Sequence, residues 1–243
     1  MIEKIVQLLF SGGVIYGSML WLLRLGASED SATLDKDKNR VLRLGGLSLG
    51  NAGIVLVLCR MEQNLPEQNS LLLLYAEGLL LSLLAGGLLA AACMDARSCY
   101  VYNYVWWWCL LWIAVLAWLP MGGIGRESGN WPGGALAACR IQPSQMAAVL
   151  AFTALQQIVF ARMYGRADSH AFCVCALASC LWKGELLSFL IHMLFSVMLL
   201  AIVQFGKRNI TPEGRLRIPK PFVPYIIITF WTQSLGMLYI QGR

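Results

Sequence analysis

The feature that most constrains this chain is a succession of long apolar runs, separated by short polar stretches and showing almost no polar-apolar alternation. Ile5 to Leu23, Leu71 to Cys93, Gln145 to Met163, Leu186 to Phe205 and Phe222 to Tyr239 are each long enough for a helix to cross the roughly 30 Å of hydrocarbon in a bilayer. In that solvent every backbone N–H and C=O must be paired within the protein. A helix does so segment by segment, whereas a barrel needs strands that alternate. Composition agrees: 58% of residues are hydrophobic and only 13% charged, against about 25% charged in an ordinary soluble domain. The expected fold class is all-α, a polytopic membrane helical bundle.

Three shorter runs, Leu44 to Cys59, Tyr104 to Leu119 and Ala171 to Trp182, bring the expected count to eight helices. The shortest crosses only with help from its neighbours. Gly13 and Gly17 in the first run, and Gly46 and Gly50 in the second, have the spacing that lets another helix approach closely. Trp106, Trp107 and Trp108 mark an interface where their helix enters the membrane. The longest irregular stretch, Pro120 to Ser144, is rich in Gly and Pro and separates two halves of the apparent core.

With eight crossings, successive loops alternate sides. The odd loops hold Arg24, Lys36, Lys38, Arg40, Arg43, Arg97, Arg162, Arg166, Lys207, Arg208, Arg215, Arg217 and Lys220, which is thirteen of the nineteen Lys and Arg. The other side, termini included, holds Lys4, Arg60, Arg126, Arg140, Lys183 and Arg243. The excess of positive charge assigns the odd loops to the cytoplasm. The net charge of +6 is therefore read as a topology signal and a set of contacts to anionic lipid, not as a nucleic-acid footprint.

The eight cysteines form no Cys-x-x-Cys pair, and six of them, Cys59, Cys93, Cys109, Cys173, Cys175 and Cys180, lie within or at the ends of apolar runs. They read as small buried hydrophobes. With His170 and His192 as the only histidines, a metal site has too few ligands. No metal and no cofactor is expected.

Two acids remain at run ends. Asp95 follows an apolar run in Ala92-Cys93-Met94-Asp95-Ala96-Arg97, and Asp168 sits in the polar break Tyr164-Gly165-Arg166-Ala167-Asp168-Ser169. Charge counting assigns both to the same side, loops three and five. Two carboxyls held close together share one proton. The ionised member can then take a proton from water while the protonated one donates to a scissile carbonyl oxygen. Gly165 and Ala167 leave room for a substrate backbone beside Asp168. On charge alone, Asp168 also reads as an interfacial acid paired with Arg162 or Arg166, and Asp95 as a loop acid beside Arg97.

Asp95 with Arg97 and then Asn103 in Val101-Tyr102-Asn103 resembles the first aspartate motif of the type IV prepilin peptidases, Asp-Leu-Arg followed by Ile-Pro-Asn. Gly165-Arg166-Ala167-Asp168 resembles their Gly-x-Gly-Asp, and Ile218 to Pro224 resembles the Pro-Phe-x-Pro approach to their last helix. The resemblance covers roughly Leu71 to Tyr239. It implies a two-helix N-terminal membrane segment with a cytoplasmic loop (1–69) and a six-helix peptidase core (70–243), in the bacterial cytoplasmic membrane. The activity it implies is aspartic-type endopeptidase cleavage of the basic leader of type IV prepilins or pseudopilins, with Asp95 and Asp168 catalytic. Gly165, Ala167, Arg97, Asn103, Arg166 and His170 would support the dyad or substrate. Larger members also methylate the new amino terminus and carry a cysteine-paired zinc loop; the corresponding loop here, Gly26 to Arg43, has no cysteine, so peptidase activity without zinc or methylation is expected. Ala167 stands where the family has glycine, Tyr102 where it has proline, and His170 where it has lysine.

An inactive member of that family is one alternative. A small transporter or channel binding a cation or proton at Asp95 and Asp168 is another, although its acids would more naturally lie near mid-membrane between two similar halves. A presenilin-like protease shares the glycine-aspartate theme but has Tyr-Asp where this chain has Met94-Asp95. Glu77 lies eighteen residues before Asp95 (95 − 77), about 27 Å along a helix, too far to join the pair. His192 reads as hydrogen-bonded within the bundle.

Overall fold

The computed structural model describes residues 2–26, 38–63, 71–118, 141–182, 184–208 and 221–241. Among them the chain forms eight α-helices and no strand: α1 (Ile2–Gly26), α2 (Lys38–Gln63), α3 (Leu71–Ser98), α4 (Asn103–Trp118), α5 (Pro143–Ile158), α6 (Arg166–Ser179), α7 (Leu186–Arg208) and α8 (Val223–Gln241). Short 3-10 turns follow α5 and α6. Four stretches, Ile5–Leu25, Tyr75–Ser98, Pro143–Arg162 and Leu186–Gln204, are long and apolar enough to cross a membrane. The chain is thus a helical membrane protein by length and composition. Residues 119–140, the sixth-loop Lys183 and most of the basic seventh loop lie outside the described residues, as do Cys139 and the side chain of Cys59.

α3 is the axis. In its apolar span 78% of residues are buried, against 17% in that of α7, so α3 is surrounded by protein while α7 shows most of its surface to the solvent, here lipid. α1, α2, α4 and α8 all pack on α3, and α6 lies between α4, α5 and α8. Close approach to α3 is made at Gly86, where a Cβ would collide with the Ser18 hydroxyl of α1, and at Gly87, where it would meet Cys109 Sγ of α4 at 2.8 Å. Small residues let backbones come together where lipid gives no hydrophobic push.

The glycines expected to do this do not. A Cβ added at Gly13, Gly17, Gly46 or Gly50 would meet nothing within 4 Å, and all four lie on exposed faces. α1 instead buries Ser11, Ile15, Ser18, Met19 and Leu22, and α2 buries Leu44, Ser48, Ala52 and Val55. α2 also starts earlier than its apolar run, at Lys38, because the polar residues before Leu44 propagate the helix without breaking it. Of the three tryptophans, only Trp107 faces outward, 71% exposed. Trp106 is buried, and Trp108 donates to the Leu83 carbonyl at 3.1 Å.

Helix direction alternates, and two sets of hydrogen bonds display it. At one end the Tyr104 hydroxyl at the start of α4 donates to the Leu22 carbonyl near the end of α1, at 2.8 Å, and Asp95 near the end of α3 meets Val223 at the start of α8. At the other end Gln145 at the start of α5 donates to the carbonyl of Gly184, just before α7, at 3.3 Å. His192 is buried in α7 with Nε2 2.9 Å from the Ile226 carbonyl of α8, a bundle contact as expected. The six cysteines with described side chains (Cys93, Cys99, Cys109, Cys173, Cys175 and Cys180) are in no disulfide.

Candidate active site

Asp95 belongs to the last turn of α3 rather than to a loop. The helix closes where the Cys99 amide donates to the Asp95 carbonyl at 2.8 Å and Cys99 takes a left-handed conformation, φ 52°, the turn that commonly ends a helix. The chain then reverses into α4 and leaves the Asp95 side chain 3% exposed.

What meets Asp95 is the start of α8. A helix N-terminus carries amides without intrahelical partners. Here Pro224 has no N–H to offer, and the Tyr225 and Ile226 amides are taken by the Phe222 carbonyl at 3.0 and 3.3 Å. The Val223 amide is left, and it donates to Asp95 Oδ2 at 2.9 Å; the Phe222 amide also faces this carboxyl. The Pro-Phe-Val-Pro sequence therefore shapes the seat of an acid from another helix. Proline at the first turn starts the helix without wasting a donor.

Asp168 is seated by its own helix. Gly165, with φ 120° and ψ 162°, is the N-cap of α6, in a region of backbone space that is essentially glycine's alone. Asp168 lies in the first turn after it, where the helix dipole favours an acid. Its carboxyl folds back over the break, so that a Cβ at Gly165 would lie 3.5 Å from Oδ2. Asp168 is buried. Burial, and then the charge of Asp95, push its carboxyl up to about 7 from the usual 3.8. The charge that raises Asp168 is that of Asp95, while Arg162 and Arg166 are exposed. The Cys99 thiol is pushed up by burial and by both acids, Asp95 and Asp168, so the three groups share one electrostatic neighbourhood.

The other residues expected to support the pair differ in exposure. Arg97, Asn103 and Arg166 are exposed. Asn103 opens α4. His170 is half-buried and stacks on Trp106, ring centroids 6.4 Å apart. Ala167 lies in regular helix, half-buried against the core, so no backbone angle requires glycine there. Glu77 is far along α3, as expected.

Sequence reasoning missed the residues that hold the break in place. Tyr164 donates its phenol to Gln156 Oε1, and its ring packs on Phe160, Phe172 and Phe222. Ser169 Oγ donates to the Gln156 carbonyl at 3.3 Å. The available signal was Gln156 itself, a polar side chain in the middle of an apolar run. Among the described residues there is no group of three or more His, Cys, Asp or Glu able to hold a metal.

Comparison with family models, with curated proteins and with solved structures found no match. The arrangement itself defines a chemical class: two buried carboxyls at one end of a membrane helical bundle, coupled through space, one with a backbone donor and one that keeps its proton to near neutrality. Carboxyls within reach of each other's charge ionise less readily together than apart.

Proposed function

We propose that the protein is a membrane aspartic endopeptidase of the prepilin-peptidase type. It removes the short basic leader of type IV prepilin-like substrates at the cytoplasmic boundary of a bacterial membrane, with all eight helices spanning. The observation that carries this reading is the meeting of Asp95 and Asp168: they lie on separate helices, at one end of the bundle, within reach of each other's charge. The order and side of the three motifs support the substrate class, and the excess of Lys and Arg in the odd loops supports the cytoplasmic location.

In this mechanism Asp95 is the general base, its carboxylate oriented by the Val223 amide. It takes a proton from a water that adds to the scissile carbonyl, while protonated Asp168 donates to the carbonyl oxygen. In the tetrahedral adduct Asp95 then passes its proton to the leaving nitrogen, the C–N bond breaks, and the carbonyl re-forms as its proton returns to Asp168. No covalent intermediate arises. Gly165 leaves the approach to Asp168 free of a side chain.

The test is leader removal from a co-expressed prepilin, followed by gel. Asp95→Asn and Asp168→Asn are each expected to reduce cleavage by about a thousandfold or more, as the loss of a member of a catalytic pair does. If each leaves cleavage intact, the protease reading is wrong. Loss of proton or cation flux in proteoliposomes, with no cleavage in the unaltered protein, would point to a transporter instead.

A further inference from the structure

We propose that Tyr164 and Gln156 form a brace that positions the two aspartates, Tyr164 being a positioning residue whose hydroxyl, rather than only its ring, sets the geometry of the site. The inference rests on the reading of Asp95 and Asp168 as a catalytic pair.

Gln156 is fully buried near the end of α5, in the last turn, where carbonyls lack intrahelical partners. It grips both sides of the Asp168 seat. Its side-chain carbonyl accepts from Tyr164, the residue before Gly165, and its backbone carbonyl accepts from Ser169, the residue after Asp168. Its amide nitrogen is fixed in turn by Met193 Sδ of α7 at 3.2 Å. The glycine-only conformation at Gly165 is thus held by hydrogen bonds on either side, not by glycine alone.

The same tyrosine reaches the other acid. Its ring meets Phe222 edge to face, centroids 5.9 Å apart, and Phe172 meets Phe222 likewise at 5.7 Å. Phe222 caps α8, and the next amide is the Val223 donor to Asp95. A shift of Tyr164 therefore moves the Asp168 seat directly and the Asp95 donor through one ring contact. A buried polar brace of this kind is retained at a cost unless every member is satisfied, and each polar atom of Gln156 named here has a partner.

Tyr164→Phe deletes the hydroxyl and keeps the ring. In the full-length protein in proteoliposomes, with a synthetic peptide carrying a basic leader, a glycine and an apolar helix, kcat is expected to fall about tenfold to a hundredfold, because small misplacements of reacting groups are this costly, with KM within about twofold. Gln156→Leu is expected to match it, and the double variant to lose no more than either single one. Ser169→Ala, which leaves Tyr164 untouched, is expected to lower kcat in the same direction by less, and serves if Tyr164→Phe does not fold.

A second readout does not depend on activity. Asp168, whose titratable neighbours are Asp95, Cys99 and Tyr164, can be followed by its carboxyl infrared band. Loosening the seat admits water and separates the acids, so its midpoint should fall below about 7 in Tyr164→Phe. An unchanged midpoint, or multiplying losses in the double variant, overturns the brace. Cleavage surviving Asp95→Asn and Asp168→Asn overturns the protease reading and leaves the infrared result to judge the brace alone.

Discussion

The end of α3 and the start of α6 each present a buried aspartate, and the two meet different backbone surroundings. Asp95 lies at the C-terminal end of its own helix, where the backbone dipole disfavours an anion, and it is compensated by a second helix, whose Val223 amide points at it. Asp168 lies in the first turn of its own helix, where the dipole helps, but burial and the Asp95 charge outweigh that help and hold its proton to about pH 7. Under the proposed mechanism this placement gives the two acids their roles, Asp95 as the base with a fixed donor and Asp168 as the acid. Two identical side chains thus meet different surroundings, one a backbone donor from another helix, the other burial and a neighbouring charge.

The largest difference should appear when each side chain is removed. Asp95→Ala leaves the Val223 amide without its acceptor, which costs about 1–3 kcal/mol for a buried donor, read as lowered thermal stability in detergent. Asp168→Ala removes a carboxyl that burial disfavours once charged, so near pH 8 it should be neutral or stabilising. Equal losses from both substitutions would show that the two seats do not differ as described.

This contrast was only partly legible in the sequence. The apolar runs announced helices, and loop alternation with the Lys and Arg count assigned Asp95 and Asp168 to one end before any geometry was known. Which face of each helix turns inward was not legible. In a membrane the lipid is as apolar as the protein interior, so hydropathy does not distinguish Gly13 and Gly17, which face out, from Gly12 and Gly86, which meet a neighbour. For the same reason the tryptophans at 106–108 looked alike but point three ways. The Val223 amide was hidden because backbone donors leave no mark on residue identity, although the prolines around it, Pro221 and Pro224, narrow the choice. Gln156 was visible as a polar residue but its partners, Tyr164 and Ser169, follow only from the fold of the break.

A smaller effect sharpens the comparison through pH. The unfolded chain gives up the Asp168 proton near 3.8 and the folded chain near 7. Between those values the folded state holds more protons, so this group makes stability fall as pH rises across that window and leaves it level above. Asp168→Asn should remove that slope from a series of melting curves. In catalysis, where the protonated form donates, kcat should decline about tenfold per pH unit above about 7. Asp95→Asn removes one of the two causes, and the Asp168 infrared midpoint should move down while staying above 3.8, since burial, the larger cause, persists. A midpoint that does not move would separate the acids electrostatically and break the pair.

The smallest effect is expected at Ala167, the position where the resembled family has glycine. Gly165 carries the positive φ of the break, whereas Ala167 is already inside α6 with helical backbone, so restoring glycine relieves no strain. Glycine within a helix costs about 0.5–1 kcal/mol relative to alanine, and only the loss of one half-buried methyl could be felt at the site. Ala167→Gly should therefore lower thermal stability slightly and change kcat/KM for a prepilin-like substrate by no more than about threefold, a difference worth well under 1.4 kcal/mol. A tenfold or larger rise would mean that the methyl obstructs substrate beside Asp168, making this seat the restricted side of the pair. An unchanged rate would mean that the family's two glycines serve unlike purposes, the first conformational and the second dispensable here.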